Sequence, residues 1–154
     1  MNKLLALSII LFGIACVSNS AKQEDQTSRA NTELSRRDQI RLTQYQVKGM
    51  ELYKKYCSMC HQDNGEGLAN LYPPLKEADY LLEDLPRAAC VIKNGLVETI
   101  TVNGKSYSQM MPGVPQLTPL EIAEILTYIT NSWGNEAGIS GVKDVEKWLR
   151  ECED

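Results

Sequence analysis

An all-α domain of three to five helices is what this 154-residue sequence predicts, on three observations. Apolar residues recur at helical spacing between Ile40 and Tyr56. Thr118-Pro119-Leu120-Glu121 reads as a strong helix start ahead of a second such run. Near the C-terminus, Val145, Trp148, Leu149 and Cys152 fall on one helical stripe. A composition of 43% hydrophobic and 23% charged residues suits one globular domain and excludes a disordered chain or a multi-pass membrane protein.

The segment 1–16 reads as a leader. Lys3 supplies a positive start, and the apolar run Leu4 to Ile14 fits a secretory signal and is too short to span a bilayer. It closes in Phe12-Gly13-Ile14-Ala15-Cys16, which resembles the lipobox of bacterial lipoproteins, with Gly13 where Leu is usual. That resemblance implies lipidation of Cys16; cleavage nearby, for instance after Ser20, is the other reading. Residues 17–38 carry four basic and four acidic side chains and hardly an apolar one, and they read as a flexible polar tether. At about 5–6 Å × √n such a leash reaches roughly 25 Å. The expectation is an exported protein, periplasmic or lipid-anchored to a bacterial membrane, with its domain at 39–154.

From Asp38 the pattern Ile40, Leu42, Tyr45, Val47, Met50, Leu52, Tyr53, Tyr56 predicts a helix running directly into Cys57-Ser58-Met59-Cys60-His61. This Cys-x-x-Cys-His run is the attachment motif of c-type haem. Two cysteines three positions apart reach two vinyl groups of one porphyrin edge, and the adjacent histidine falls beneath the iron. Zinc would need a second ligand cluster, which is missing. A thioredoxin-like motif would need a βαβ setting. A Cys57–Cys60 disulfide would leave His61 without a role. Cys57, Cys60 and His61 are therefore read as the binding site of one covalent haem c. Downstream, Gly65 and Gly67 suggest a loop whose backbone approaches the flat cofactor closely.

His61 is the single histidine, so a strong second axial ligand must be methionine, lysine or water. Met59 sits in the attachment loop and Met50 lies on the helix before it, which leaves the pair Met110-Met111. A third helix is expected from about Asp84 to Asn94-Gly95. The helix opened by Thr118 is expected to carry Ile122, Ile125, Leu126, Ile129 and Trp133 on one face and to stop at Gly134. The tail 136–154 is expected to add a helix over about Val142 to Glu151. Of five cysteines, the leader takes one and haem two. Cys90 and Cys152 remain, and in an oxidising compartment an even remainder suggests a disulfide; two separate buried thiols are the other reading.

Gly49-Met50-Glu51-Leu52-Tyr53 followed by Cys57 to His61 resembles the N-terminal helix and attachment site of class I c-type cytochromes. Tyr72-Pro73-Pro74-Leu75, Val102 to Tyr107, Met111-Pro112 and Tyr128 to Asn135 are similar to further parts of that family, so the likeness covers about residues 45–135. It implies the cytochrome c fold, its helices wrapped around one covalently bound haem. It also implies that the Pro73 carbonyl accepts a hydrogen bond from the far nitrogen of His61, fixing its tautomer. Helices would cross where Gly49 meets Tyr128, and Met111, before Pro112, is preferred over Met110 as the iron ligand. Tyr107 would bond a haem propionate, although a half-buried core tyrosine fits as well. The tail beyond Asn135 departs from the family.

A doubly ligated iron has no open position for substrate. The expected function is thus one-electron transfer between redox proteins outside the cytoplasm, by a carrier and not an enzyme. From Arg41 on there are 11 basic and 16 acidic residues, so donors and acceptors with basic docking surfaces are expected. A net charge of −4 makes nucleic acid a poor partner. The competing reading is a haem-based ligand sensor or peroxidase-like enzyme with a displaceable methionine, against which stands the absence of a distal histidine. A weaker one is a metal-free structural lipoprotein in which Cys57 and Cys60 pair.

Overall fold

The computed structural model describes residues 17–152, with side chains from residue 35 onward. Residues 1–16, expected to be a leader and including Cys16, lie outside the described residues. Contacts divide the chain into two units, Met1–Asp38 and Gln39–Asp154, and the second contains the core and the site.

Helix α1 runs Val17–Tyr56. Over 17–38, where composition predicts an irregular tether, the backbone is helical. That stretch contains neither Pro nor Gly, and its Ala, Gln, Glu, Lys and Arg are helix-forming even without an apolar face. Within the second unit, α1 buries the stripe Tyr45, Gly49, Leu52, Tyr53 and Tyr56, spaced for one helix face. Ile40 and Val47 belonged to the predicted apolar pattern but lie off that stripe and are exposed.

Two single-turn helices follow, α2 (Ser58–His61) and α3 (Asp79–Leu82). Then α4 spans Leu85–Asn94, capped by the Asp84 carboxylate accepting from the Arg87 amide and opened by Pro86 in its first turn. It ends at Gly95, whose φ of 85° with an extended ψ is a conformation that glycine adopts most cheaply. Strands β1 (Gly95–Leu96), β2 (Ile100–Val102), β3 (Lys105–Tyr107) and β4 (Met111–Pro112) form two small antiparallel pairs. The pair β2–β3 is a hairpin across Asn103-Gly104, both at positive φ, as a two-residue primed turn requires. The all-helical expectation passed over these strands because each is only two or three residues long.

Helix α5 (Pro119–Ile129) starts with the expected capping box: the Thr118 hydroxyl accepts from the Glu121 amide, and the Glu121 carboxylate accepts from the Thr118 amide. It contributes Ile122, Ala123, Ile125, Leu126 and Ile129 to the core. It stops a turn earlier than predicted. The hydroxyls of Thr130 and Ser132 and the amide of Asn131 donate to the carbonyls of Leu126, Tyr128 and Thr127, closing the helix end with side chains. Trp133, expected on the helix face, instead sits beyond it at φ 57°. Finally α6 (Val142–Glu151) packs on α4 and α5 through fully buried Val145, and a Cys90–Cys152 disulfide joins it to α4.

The described residues thus hold six helices, two of them single turns, against the three to five expected. Helices α1 and α5 cross at Gly49: a Cβ there would lie 2.0 Å from the Glu124 carbonyl and 2.6 Å from the Tyr128 Cβ. Only a missing side chain lets the two axes come this near.

Candidate functional site

The site is built from two stretches of chain that differ in how they are held. The first begins where α1 ends. The Cys57 amide donates to Tyr53 and the His61 amide to Cys57, so the attachment motif winds as a helical continuation. His61 is nine-tenths buried, and its Nδ1 donates to the Pro73 carbonyl at 3.0 Å. Proline carbonyls only accept, which assigns the proton to Nδ1 and leaves Nε2 as the nitrogen for a metal. Burial lowers the His61 pKa, the Pro73 bond opposing this in part, so the ring is kept neutral and ligand-competent.

Pro73 is itself held in place. Gly67 donates to the His61 carbonyl, and Leu75 and Lys76 donate to the carbonyl of Gly65. Gly65 and Gly67 both have positive φ. A Cβ on Gly65 would enter the Trp133 ring at 2.4 Å, and one on Gly67 would lie 2.3 Å from the Tyr72 carbonyl. These glycines allow close packing within the protein that a side chain would block. Asn135, which the sequence reading passed over as a functional residue, ties the same loop down: it is buried, donates to Leu75 and Ile129, and accepts from the Glu77 amide. A lone Asn carries no pattern signal for such a role. Behind His61, Tyr53, Tyr128 and Trp133 form a ring cluster with centroids 5.3–5.5 Å apart, and the Tyr53 hydroxyl donates to Gln62 at 2.6 Å.

Cys57 and Cys60 are thiols, not paired with each other. Burial, reinforced by the neighbouring Cys60, pushes the Cys57 thiol up to about 12. Among the described residues no cluster of three or more His, Cys, Asp or Glu could hold a metal ion.

The second stretch is 108–117. It is brought in by β1–β4 pairing, which sets Leu96 opposite Met111, and by the Val114 amide donating to Ile92. Together the two stretches line one open apolar cavity. Cys57, Cys60, His61, Pro73, Tyr107, Met110 and Met111 all contribute to its wall, with aliphatic side chains of α4 and α5 completing it. Met50 and Met59 do not, and Met59 is 89% exposed. Tyr107 is buried, with the Lys105 ammonium 5.4 Å from its ring centre. A large flat apolar group suits this wall: its lining is mostly aliphatic and aromatic, two thiols border it, and a neutral imidazole with an oriented Nδ1–H faces it.

Comparison with known proteins agrees with this geometry. The family pattern described as Cytochrome c matches residues 46–133. Cytochrome c-552 of Thermus thermophilus is 34% identical over 104 residues, covering 64% of this chain and 77% of that protein. The cytochrome c subunit of a quinone alcohol dehydrogenase from Gluconacetobacter polyoxogenes is also 34% identical over 104 residues, covering 66% of this chain and 22% of that subunit.

Proposed function

The chain belongs to the cytochrome c family, a family of electron carriers with covalent haem c, and from that premise we propose that it moves single electrons with His61 and Met111 as axial ligands. Haem, when attached, supplies a reversible one-electron couple. Cys57 and Cys60 would fasten it, Pro73 orients His61 toward it, and the aliphatic walls would keep water from its buried faces, which with a thioether ligand would favour the reduced state. The observation that carries the reading is the single apolar cavity shared by the attachment motif and the Met110-Met111 pair. Met111 is preferred because Pro112 follows it and because it is less exposed than Met110. Tyr107 is the candidate partner of a propionate.

The segment assignment is also proposed: leader 1–16, polar link 17–38, electron-transfer domain 39–154, with export and a periplasmic or Cys16-lipidated location. No helix among the described residues is long and apolar enough to cross a membrane. The relatives' names include a subunit of a quinone alcohol dehydrogenase. Transient redox partners presenting basic surfaces suit the acidic excess of the domain.

The test is the optical spectrum of the haem-loaded protein. A weak red band in the oxidised form and inertness of the reduced form to carbon monoxide are expected. Rapid carbon monoxide binding without the red band would replace this reading with a ligand sensor or peroxidase-like enzyme.

A further inference from the structure

We propose that Lys93 is the latch that holds the methionine loop shut, a positioning residue for the axial ligand. This inference rests on the reading of Met111 as that ligand.

Lys93 lies in the last turn of α4, where a cation is favoured by the helix dipole. Its ammonium leaves the helix and donates to two carbonyls of the loop, Pro115 at 2.6 Å and Leu117 at 2.9 Å. The other attachments of the loop lie nearer its start. Leu96 pairs with Met111, Val114 donates to Ile92 at 2.9 Å, and the backbones of Gly95 and Gly113 approach so closely that a Cβ on Gly113 would lie 2.5 Å from the Asn94 carbonyl carbon.

Past Val114 the loop makes one bond of its own, from the Leu117 amide to the Val114 carbonyl at 3.1 Å, and the Pro115 and Leu117 carbonyls take their donor from outside it. Pro115 has no N–H to give, and Leu117, almost wholly buried, keeps its carbonyl near the core. One ammonium satisfies both acceptors with charge-assisted bonds. Its base is firm: Ala89 and Ile92 are buried, and Cys90 is cross-linked to Cys152. Removing the ammonium leaves two carbonyls without their donor and frees the C-terminal arm of the loop. Met111 on that loop then swings from the cavity more often.

The experiment compares haem-loaded wild type, Lys93→Met, Lys93→Arg and Lys147→Met, the last an exposed lysine on α6. The readouts are the red methionine–iron band during heating and the rate at which the reduced protein captures carbon monoxide. Lys93→Met is expected to capture about tenfold faster or more, since two charge-assisted bonds close the loop, and to lose the band at lower temperature. Lys93→Arg is expected to restore most of the wild-type behaviour, and Lys147→Met all of it. Should Lys93→Met fail to mature, Lys93→Gln must show the same acceleration. Wild-type rates and band stability in the variant without the cation would overturn the latch. Absence of the red band already in the wild type would overturn the Met111 reading itself, and the latch with it.

Discussion

The two stretches that meet in the cavity contrast in how their positions are encoded. Residues 57–75 are fixed locally: helical continuation from α1, a twelve-residue hydrogen bond from His61 to Pro73, and two glycines packed to contact. Residues 108–117 have almost nothing of their own. They are located by α4, through strand pairing, an amide bond and Lys93, from residues 92–96. The first stretch is thus a motif, readable as a string, whereas the second is a consequence of where another helix ends.

The strongest way to break the comparison is to remove the local code. Cys57→Ser with Cys60→Ser is expected to abolish covalent haem altogether, seen as loss of haem staining on a denaturing gel. Met111→Ala leaves covalent haem in place but removes the red band, whereas Met110→Ala retains it; oxidised spectra of the two decide the ligand. Cutting the support of α4 comes next. Replacing Cys90 and Cys152 by Ser removes a cross-link over 62 residues and is expected to cost about 2–4 kcal/mol in denaturant unfolding. The red band should weaken before the bulk fold does.

Paired glycine substitutions sharpen the contrast. Gly65→Ala combines a positive φ with a clash on Trp133 and is expected to cost about 3 kcal/mol of stability while leaving the band intact in the folded fraction. Gly113→Ala presses on the α4 end and is expected to weaken the band itself. The smallest effect lies outside both stretches. Thr118 holds the Glu121 carboxyl below its usual pKa by hydrogen bonds from its amide and hydroxyl. A depressed carboxyl stabilises the fold above its unfolded value and ceases to do so as pH falls through the folded one. Glu121→Gln is therefore expected to cost at most about 1 kcal/mol near pH 7, reduced by solvent screening, and progressively less as pH falls below the unfolded carboxyl value; denaturation of both proteins from pH 7 into the acid range checks it.

Legibility in the sequence follows the same division. The attachment motif, the capping box and the last helix could be read because each is local or periodic, whereas the crossing at Gly49 was implied only by the family resemblance. The β2–β3 hairpin was signalled by Asn103-Gly104, but its strands are too short to show alternation. The early stop of α5 was hidden because Thr130, Asn131 and Ser132 close it by side-chain bonds that apolar periodicity does not register. Asn135 and Lys93 were illegible for a deeper reason: two of the three Asn135 partners lie 58 to 60 residues away and those of Lys93 lie 22 to 24 away, and only the folded chain brings them together.

The Cys90–Cys152 bond has a consequence for how the protein is made. Four cysteines in one domain must reach two opposite chemical ends. Cys57 and Cys60 have to stay reduced until haem is attached, yet as near neighbours they are the pair that oxidises most readily by proximity. Cys90 and Cys152 have to be oxidised, yet they are far apart until α6 docks on α4. A reductant that keeps Cys57 and Cys60 open has thus to spare a cross-link between two packed helices. Assembly of the C-terminal half before haem attachment would supply that selectivity without any further recognition.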